Sequence, residues 1–395
     1  MKNLFLFFLF ISGTLSAQWN AQVSGTSQLL NSIQFLNSNL GYCAGDNGLL
    51  LKTTNGGANW VSVNANTGSP AALFTTPDTG YTYRGTEVAM TVNGGQNFST
   101  VLVCTDGISA LSFPSLSVGY AAGMNMMEDS IIIYKTTDAG VNWTYYSGIP
   151  ASLMAYSIYF IDNNIGFVGG FYGGLYKTTD GGLNWNMVYN GTSGAFSFSF
   201  PNTLTGYAVT ESGSMLKTVD GGDTWAETST GAGPILYSID CVNPSTCYAV
   251  GGDGFSSGTI IKTSNGGTSW TSSQSTLITY QMVDFLNDTV GYACGGNGSI
   301  LRYGSSLTPN SVFETNPENQ LQLYPNPAVD FIIVDNTTSS GNSIVEIYGI
   351  RGELIRTVSL RSAENRIDIS NLTAGMYIVK VISDDKELFS KMIKQ

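Results

Sequence analysis

Histidine is absent from the 395-residue sequence. Nucleophiles activated by histidine, histidine general bases and histidine-ligated metals are therefore excluded. Charged residues make up only 11% of the chain. Between residues 18 and 306, seven basic residues stand against seventeen acidic ones, and no basic stripe exists that could hold nucleic acid. No phosphate-cradling glycine loop is present either, so we predict neither a metal nor a cofactor.

The first 17 residues are typical of a signal peptide. Met1 and Lys2 give a basic start, Leu4 to Ile11 is a short apolar run, and a small residue, Ala17, precedes Gln18. The apolar run is too short to cross a bilayer, and no later run is long enough. We therefore expect an exported protein without a transmembrane segment.

An internal repeat dominates the following 290 residues. One copy reads Lys-Thr-Thr-Asp-Gly-Gly-Leu-Asn-Trp from Lys177 to Trp185, and related segments end at aromatic residues 38 to 45 positions apart. A Gly-Tyr element or close variant precedes each copy, and an apolar segment precedes that. Four short strands in about 40 residues is the pattern of a β-propeller blade.

The Gly-Tyr element occurs seven times, which predicts seven blades. The seventh lacks its own Trp strand, whereas the N-terminal Gln18-Trp19-Asn20 has a Trp without a blade. We expect this N-terminal strand to complete the seventh blade and so remove an exposed sheet edge. The fold class is therefore all-β, with a seven-bladed propeller over residues 18–307.

The spacing Ser/Thr-x-Asp-x-Gly-x-x-Trp resembles the Asp-box, in which Asp or Asn caps a hairpin turn and Gly supplies left-handed dihedrals. Replacement of Asp by Asn in three copies suits a structural role and not a catalytic carboxylate. The blades resemble the Asp-box (BNR, sialidase-like) propellers of the photosystem II assembly and stability factor family, which indicates a fold and not an activity. The predicted structural residues are Asn55, Trp60, Asn93, Phe98, Asp138, Trp143, Asp180, Trp185, Asp220, Trp225, Asn265 and Trp270.

Export permits disulfides. Cys241 and Cys247 flank a short loop with Pro244, which predicts a hairpin disulfide. Cys43 and Cys294 occupy neighbouring strand positions in blades one and seven, where the two thiols can face each other. Cys104 is then a buried thiol, and the pairing of these three cysteines stays open.

Composition changes after a polar linker over residues 308–320. Residues 321–395 carry Tyr-Pro-Asn-Pro from Tyr324, Leu-Thr-Ala-Gly-Met-Tyr from Leu372 and a basic end. Alternating apolar residues predict a small β-sandwich. The motif order closely resembles the type A sorting domain of type IX secretion, which implies recognition by that machinery, tail removal, and release or anchoring at the cell surface.

Two classes of function remain open for the propeller. A sialidase needs three arginines, but only Arg84 and Arg302 are present before residue 307. Asp240 and Asp284 lie in register on adjacent inner strands and are a candidate glycosidase pair. Phe171 and Tyr172 lie in a loop predicted opposite the Asp-box turns, as do Met124 to Asp129 and Gly252 to Ser257. Such aromatics can bind a sugar or a protein.

We therefore predict a monomeric, non-catalytic, exported propeller that binds a protein or glycan. The alternative is a carbohydrate-active hydrolase that uses Asp240 and Asp284. A third possibility, which the family resemblance suggests, is help in assembling another envelope protein.

Overall fold

The structure, a computed structural model, describes residues 18–63, 71–104, 107–125, 130–150, 155–171, 173–233, 235–254, 257–276, 278–304, 321–335, 343–349, 354–360, 366–383 and 386–395. The chain divides into two compact units, Met1–Leu307 and Thr308–Gln395. The predicted signal peptide and the linker 308–320 lie outside the described residues.

The first unit is built from short strands, as the frequent turn residues and short apolar segments predict. In chain order these are β1 Gln18–Gln22, β2 Leu30–Phe35, β3 Gly41–Gly45, β4 Leu49–Thr53, β5 Val61–Val63, β6 Ala72–Phe74, β7 Gly80–Arg84, β8 Glu87–Thr91, β9 Ser99–Val103, β10 Gly107–Ser112, β11 Gly119–Asn125, β12 Ser130–Thr136, β13 Thr144–Pro150, β14 Ala155–Phe160, β15 Gly166–Gly170, β16 Leu175–Thr178, β17 Asn186–Tyr189, β18 Ala195–Ser199, β19 Gly206–Thr210, β20 Ser214–Thr218, β21 Ala226–Ser229, β22 Ile235–Asn243, β23 Thr246–Gly252, β24 Gly258–Thr263, β25 Thr271–Thr276, β26 Tyr280–Asn287, β27 Val290–Gly295 and β28 Ile300–Gly304.

These strands form seven four-stranded antiparallel sheets within the described part of the unit. Sheets 1 to 6 each contain four consecutive strands, β2–β5 through β22–β25. Sheet 7 combines β26, β27 and β28 with the N-terminal β1, in which Trp19 lies opposite Tyr303. The all-β class is as predicted, and the N-terminal strand lies where the sequence placed it.

One edge strand of each sheet is called here the inner strand, and these are β2, β6, β10, β14, β18, β22 and β26. Contacts of the inner strands connect the sheets in a circuit. Each sheet contacts the next along the chain, and β26 of sheet 7 contacts β2 of sheet 1. The seven sheets therefore bury their faces against neighbours, because a single small sheet cannot bury enough apolar surface by itself.

The Gly-Tyr element has a packing cause. At Gly41 an added Cβ atom would lie 2.7 Å from the ring of Phe35, the last residue of the neighbouring inner strand. Sheet 6 has a different pair of residues at this contact. Cys241 occupies the position of the Phe, and Cys247 occupies the position of the Gly. Their Sγ atoms are 2.07 Å apart. A pair of cysteines thus replaces a ring lying over a glycine.

Aromatic rings join adjacent sheets. Tyr120 of sheet 3 stacks on Phe160 of sheet 4 at 3.6 Å between ring centroids, and Trp185 meets Phe160 edge-on at 6.0 Å. In sheet 7, Trp19 meets Phe285 edge-on at 5.8 Å. Trp19 therefore occupies the position that a repeat Trp occupies in other sheets, although it comes from the opposite end of the unit.

The repeat turns, defined as the Thr-x-Asp/Asn-x-Gly segments, are held by side chains. Thr178 Oγ1 accepts the Gly182 N–H at 2.9 Å and donates to Asp180 at 2.8 Å, and Asp180 Oδ1 accepts the Asn184 N–H at 2.9 Å. These bonds, with Asn184 the largest contributor, lower the pKa of Asp180 to about 2. The threonine bonds recur at Thr53, Thr91, Thr136, Thr218 and Thr263.

Replacing Thr178 by Val is expected to lower the free energy of unfolding by about 1–3 kcal/mol, since it leaves the buried Gly182 N–H without an acceptor. The adjacent, exposed Thr179 is the matched control, and Thr179→Val should change stability by less than about 0.5 kcal/mol. Urea titration followed by tryptophan fluorescence measures both. Equal effects of the two substitutions would contradict this role for Thr178.

The described strands of the second unit are β29 Gln322–Tyr324, β30 Phe331–Asp335, β31 Ser343–Gly349, β32 Leu354–Leu360, β33 Arg366–Asp368, β34 Gly375–Ser383 and β35 Lys386–Lys394. Among the described residues they form two antiparallel sheets, ordered β29-β30-β33 and β32-β31-β34-β35. The apolar faces of these sheets contribute to one core that includes Leu323, Val345, Val379 and Met392.

Candidate functional site

A cavity of about 560 Å³, called here the channel cavity, is lined by inner-strand residues from several sheets, including Leu73, Ser112, Tyr159, Asp240 and Asp284. These five residues occupy equivalent positions, because each is paired with the Tyr or Phe of the Gly-Tyr element on the next strand of its sheet. The candidate carboxylates therefore face the space enclosed by the circuit of sheets.

Most side chains at this position accept a hydrogen bond from the next sheet. Gln34 accepts from the Phe74 N–H at 2.7 Å, Ser112 from the Phe160 N–H at 3.0 Å, and Ser199 from the Cys241 N–H at 3.0 Å. Each bond satisfies a backbone donor that the sheet itself leaves open. The position thus links neighbouring sheets, and neutral side chains perform this role.

Asp240 and Asp284 form the same link. Asp240 Oδ2 accepts the Phe285 N–H at 2.7 Å, and Asp284 Oδ2 accepts the Phe35 N–H at 2.7 Å. The second bond joins sheet 7 to sheet 1. These cross-sheet bonds give both carboxylates a structural role that requires no catalysis.

Both carboxyl groups are electrostatically perturbed. Burial raises the pKa of Asp240, against the lowering effect of its hydrogen bonds. Burial, and secondly the charge of Asp240, raise the pKa of Asp284 to about 7. A carboxyl group that is partly protonated near neutral pH can exchange a proton with a ligand in the channel cavity.

A second cavity of about 340 Å³, called here the mouth cavity, lies at the beginning of the inner strands. Six inner strands carry a register shift in which one residue has no partner on the neighbouring strand. Such bulges redirect a side chain. All six of these residues line the mouth cavity: Asn31, Ser109, Tyr156, Phe196, Tyr237 and Gln281.

Aromatic rings from four sheets line the mouth cavity, Tyr83 from sheet 2 and a row of three from the consecutive sheets 4, 5 and 6. Tyr156 and Phe196 stack at 4.4 Å between centroids, and Tyr237 continues the row at 6.3 Å from Phe196. Tyr156 is 40% exposed. The mouth and channel cavities share lining residues, Tyr156 and Phe196 among them, so the aromatic row borders one continuous opening.

Phe171, the aromatic residue predicted for binding, packs beside this row. Its ring is 5.4 Å from that of Tyr156 and 4.8 Å from that of Phe196. Phe171 is half-buried rather than fully exposed, and so supports the row. Tyr172 lies outside the described residues, as do parts of the other two predicted loops, at 126–129 and 255–256.

The remaining cysteines are buried and lie outside any disulfide among the described residues. Cys43 and Cys294 belong to one apolar cluster that spans sheets 1 and 7. Burial and a hydrogen bond to Cys294 raise the pKa of the Cys43 thiol well above its ordinary value. The Cys104 thiol donates to the carbonyl oxygen of Thr86 at 3.3 Å.

Neither metal-binding clusters nor long apolar helices occur in the part of the chain that the structure describes. No group of three or more Cys, Asp or Glu side chains there is arranged to hold a metal ion. No helix in the same residues could span a membrane.

Sequence reasoning missed the mouth residues. The available signal was an aromatic residue early in three successive inner strands, as in Ala155-Tyr156, Ala195-Phe196 and Leu236-Tyr237. The alternation of side chains along a strand does not predict that these three side chains point into the same cavity. A bulge in each strand turns them there, and a bulge depends on pairing with the next strand.

Comparison with known proteins identifies the tail and the fold. Residues 322–395 match the model of the secretion system C-terminal sorting domain. The predicted type IX sorting domain is thus confirmed, and it implies export to the cell surface or secretion. No curated protein matches the chain.

Solved structures similar to the chain include YCF48 bound to D1 peptide, at 16% identity, with 75% of this chain and 100% of the other covered and a TM-score of 0.59. A GH74 enzyme of Niastella koreensis is 16% identical, with 72% and 53% covered and a TM-score of 0.60. The WD40 β-propeller domain of Doa1 is 11% identical, with 75% and 99% covered and a TM-score of 0.58. At such identities the likeness shows the fold alone, and that fold is a β-propeller.

Proposed function

We propose that this chain is an exported, non-catalytic, monomeric β-propeller that binds a protein or glycan at the open end of its channel. The observation that carries the proposal is the aromatic row at the mouth cavity. It presents an exposed apolar ring beside polar side chains, which is the composition of a recognition site. The described residues that line the mouth cavity are uncharged, so this site suits ligands that are held by stacking and hydrogen bonds.

We take the seven described sheets as seven blades, with β1 closing the last, and the repeat turns as Asp boxes. Cys241 and Cys247 form a hairpin disulfide. Domain boundaries are 1–17 for the signal peptide, 18–307 for the propeller, 308–320 for the linker and 321–395 for a β-sandwich. The type IX machinery recognises that sandwich and removes it after transport.

A carbohydrate-active hydrolase is the second candidate. Its support is the pKa of Asp284, raised to about 7, which suits a general acid, and the likeness of the fold to that of a GH74 enzyme. Against it stand Gln34, Ser112 and Ser199, which make the same cross-sheet bond without a carboxylate. Assistance in the assembly of an envelope protein is a special case of binding, and the peptide bound to YCF48 is a precedent for a protein ligand.

Incubation of the full-length purified protein with a polysaccharide panel separates binding from cleavage. We expect no release of reducing ends above the buffer control, together with retention on an immobilised polysaccharide or envelope protein. Release that is lost in both Asp284→Asn and Asp240→Asn would overturn the non-catalytic proposal. Asp78→Asn, in an exposed loop, is the matched control for loss of a carboxylate.

A further inference from the structure

We infer that the mouth cavity is a subsite for a neutral saccharide, an inference that rests on the proposed binding function and names its ligand class. The cavity of about 340 Å³ lies within the size range of small-molecule sites. Its described lining includes the bulged residues of six inner strands, so paired sheet residues hold these side chains in place.

The described lining of the mouth cavity combines aromatic rings with amide side chains. Tyr156, Phe196 and Tyr237 form an aromatic row from sheets 4, 5 and 6. Tyr83 of sheet 2 and the amides of Gln281 and Asn31, from sheets 7 and 1, line the same cavity. A sugar ring presents matching groups, because its C–H face stacks on an aromatic ring while its hydroxyl groups bond to amides.

The amides suit hydroxyl groups in particular, since each amide both donates and accepts, as a hydroxyl does. The side chain of Gln281 is half-buried and makes no hydrogen bond with any described residue. Asn31 is held in place, because its Nδ2 donates to Asp46 Oδ1 at 3.0 Å. One amide is thus positioned, and the other has its hydrogen-bonding capacity open to a ligand.

Charge narrows the ligand class. Among the described residues that line the mouth cavity, none is an Asp, Glu, Lys or Arg. A charged ligand group would therefore lose hydration there without gaining an ionic partner. Anionic sugars are disfavoured further by Asp240 and Asp284 in the adjoining channel cavity. A neutral saccharide bears no such cost.

Calorimetric titration of the full-length protein with neutral hexasaccharides tests this inference. The probes are cellohexaose, maltohexaose, mannohexaose and xylohexaose, with hexagalacturonate as the acidic comparison. We expect at least one neutral probe to bind and hexagalacturonate not to bind. Tyr156→Ala should weaken that binding about tenfold or more, which corresponds to about 1.4 kcal/mol. Tyr156→Phe should retain most of the binding, because it keeps the stacking face.

Tyr145→Ala is the control, since Tyr145 is a 60% exposed tyrosine on the outer strand β13, and it should leave the affinity unchanged. Melting temperatures establish that each variant is folded. Absence of binding by every neutral probe, or equal affinity of Tyr156→Ala and Tyr145→Ala, would overturn the saccharide subsite. In that case, binding of an envelope protein that is lost in Tyr156→Ala would still support the proposed function. Polysaccharide cleavage that is lost in Asp284→Asn and Asp240→Asn would overturn the proposed function separately.

Discussion

Trp19→Ala should lower the free energy of unfolding of the first unit by about 3–5 kcal/mol, the usual cost of removing a large buried ring. Trp19 is 8% exposed and packs against Phe285, Tyr248 and Tyr303. Its indole N–H donates to Ser273 Oγ at 3.1 Å. The loss extends beyond one side chain, because β1 is the strand that covers the edge of β28.

Tryptophan fluorescence in urea measures this effect cleanly. All six tryptophans precede residue 307, so the signal comes from the first unit alone. Val23→Ala, one residue beyond β1 at 83% exposure, is the control and should be nearly neutral. If Trp19→Ala were as stable as Val23→Ala, the N-terminal strand would not close the circuit of sheets.

The stability of the first unit is expected to fall as the pH rises from about 4 to about 7. The native pKa of Asp284 is raised to about 7, whereas its unfolded value is near 3.9. A carboxyl group with a raised native pKa binds its proton more tightly in the folded state. Its stabilising contribution is therefore complete below pH 4 and is lost as the pH passes through 7. The loss is on the order of a few kcal/mol.

Asp284→Asn should remove the part of this pH dependence that comes from Asp284 and be more stable than the wild type at pH 8. Asp240, whose pKa burial also raises, accounts for the part that remains. The amide oxygen can still accept the Phe35 N–H, and no charge is buried. Asp284→Leu separates the effect of the charge from that of the hydrogen bond, because it removes both the charge and the acceptor for the Phe35 N–H. Its free energy of unfolding should be about 1–3 kcal/mol lower than that of Asp284→Asn. Thermal unfolding between pH 4 and 8 measures all three proteins, with Asp78→Asn as the control. A wild-type profile that stays flat across this range would contradict the prediction.

The repeat-turn aspartates act in a different pH window. Hydrogen bonds lower the pKa values of Asp138, Asp180 and Asp220. Their contribution is present above about pH 4 and is lost as the pH falls towards 2. Stability is therefore expected to fall below pH 4 because of the repeat-turn aspartates and to fall above pH 4 because of the buried carboxyl groups. Asp284→Asn changes only the dependence above pH 4.

Much of the fold of this protein follows from local features of its sequence. The repeat spacing gave the all-β class and the β-propeller, since each unit contains its own turn residues and apolar strands. The order of motifs in residues 321–395 gave the sorting domain. The position of Trp19 could also be predicted, because the seventh repeat lacks a Trp strand and the N-terminal segment has a Trp strand that belongs to no repeat.

Tertiary structure alone decided what the inner strands do. Asp240 and Asp284 were recognisable as adjacent acids, but not as acceptors for the next sheet, because that bond depends on how two separate sheets approach each other. Tyr156, Phe196 and Tyr237 are about 40 residues apart in sequence. They form one row only because equivalent bulges turn them towards a common axis, and a bulge is set by strand pairing rather than by the residue that occupies it.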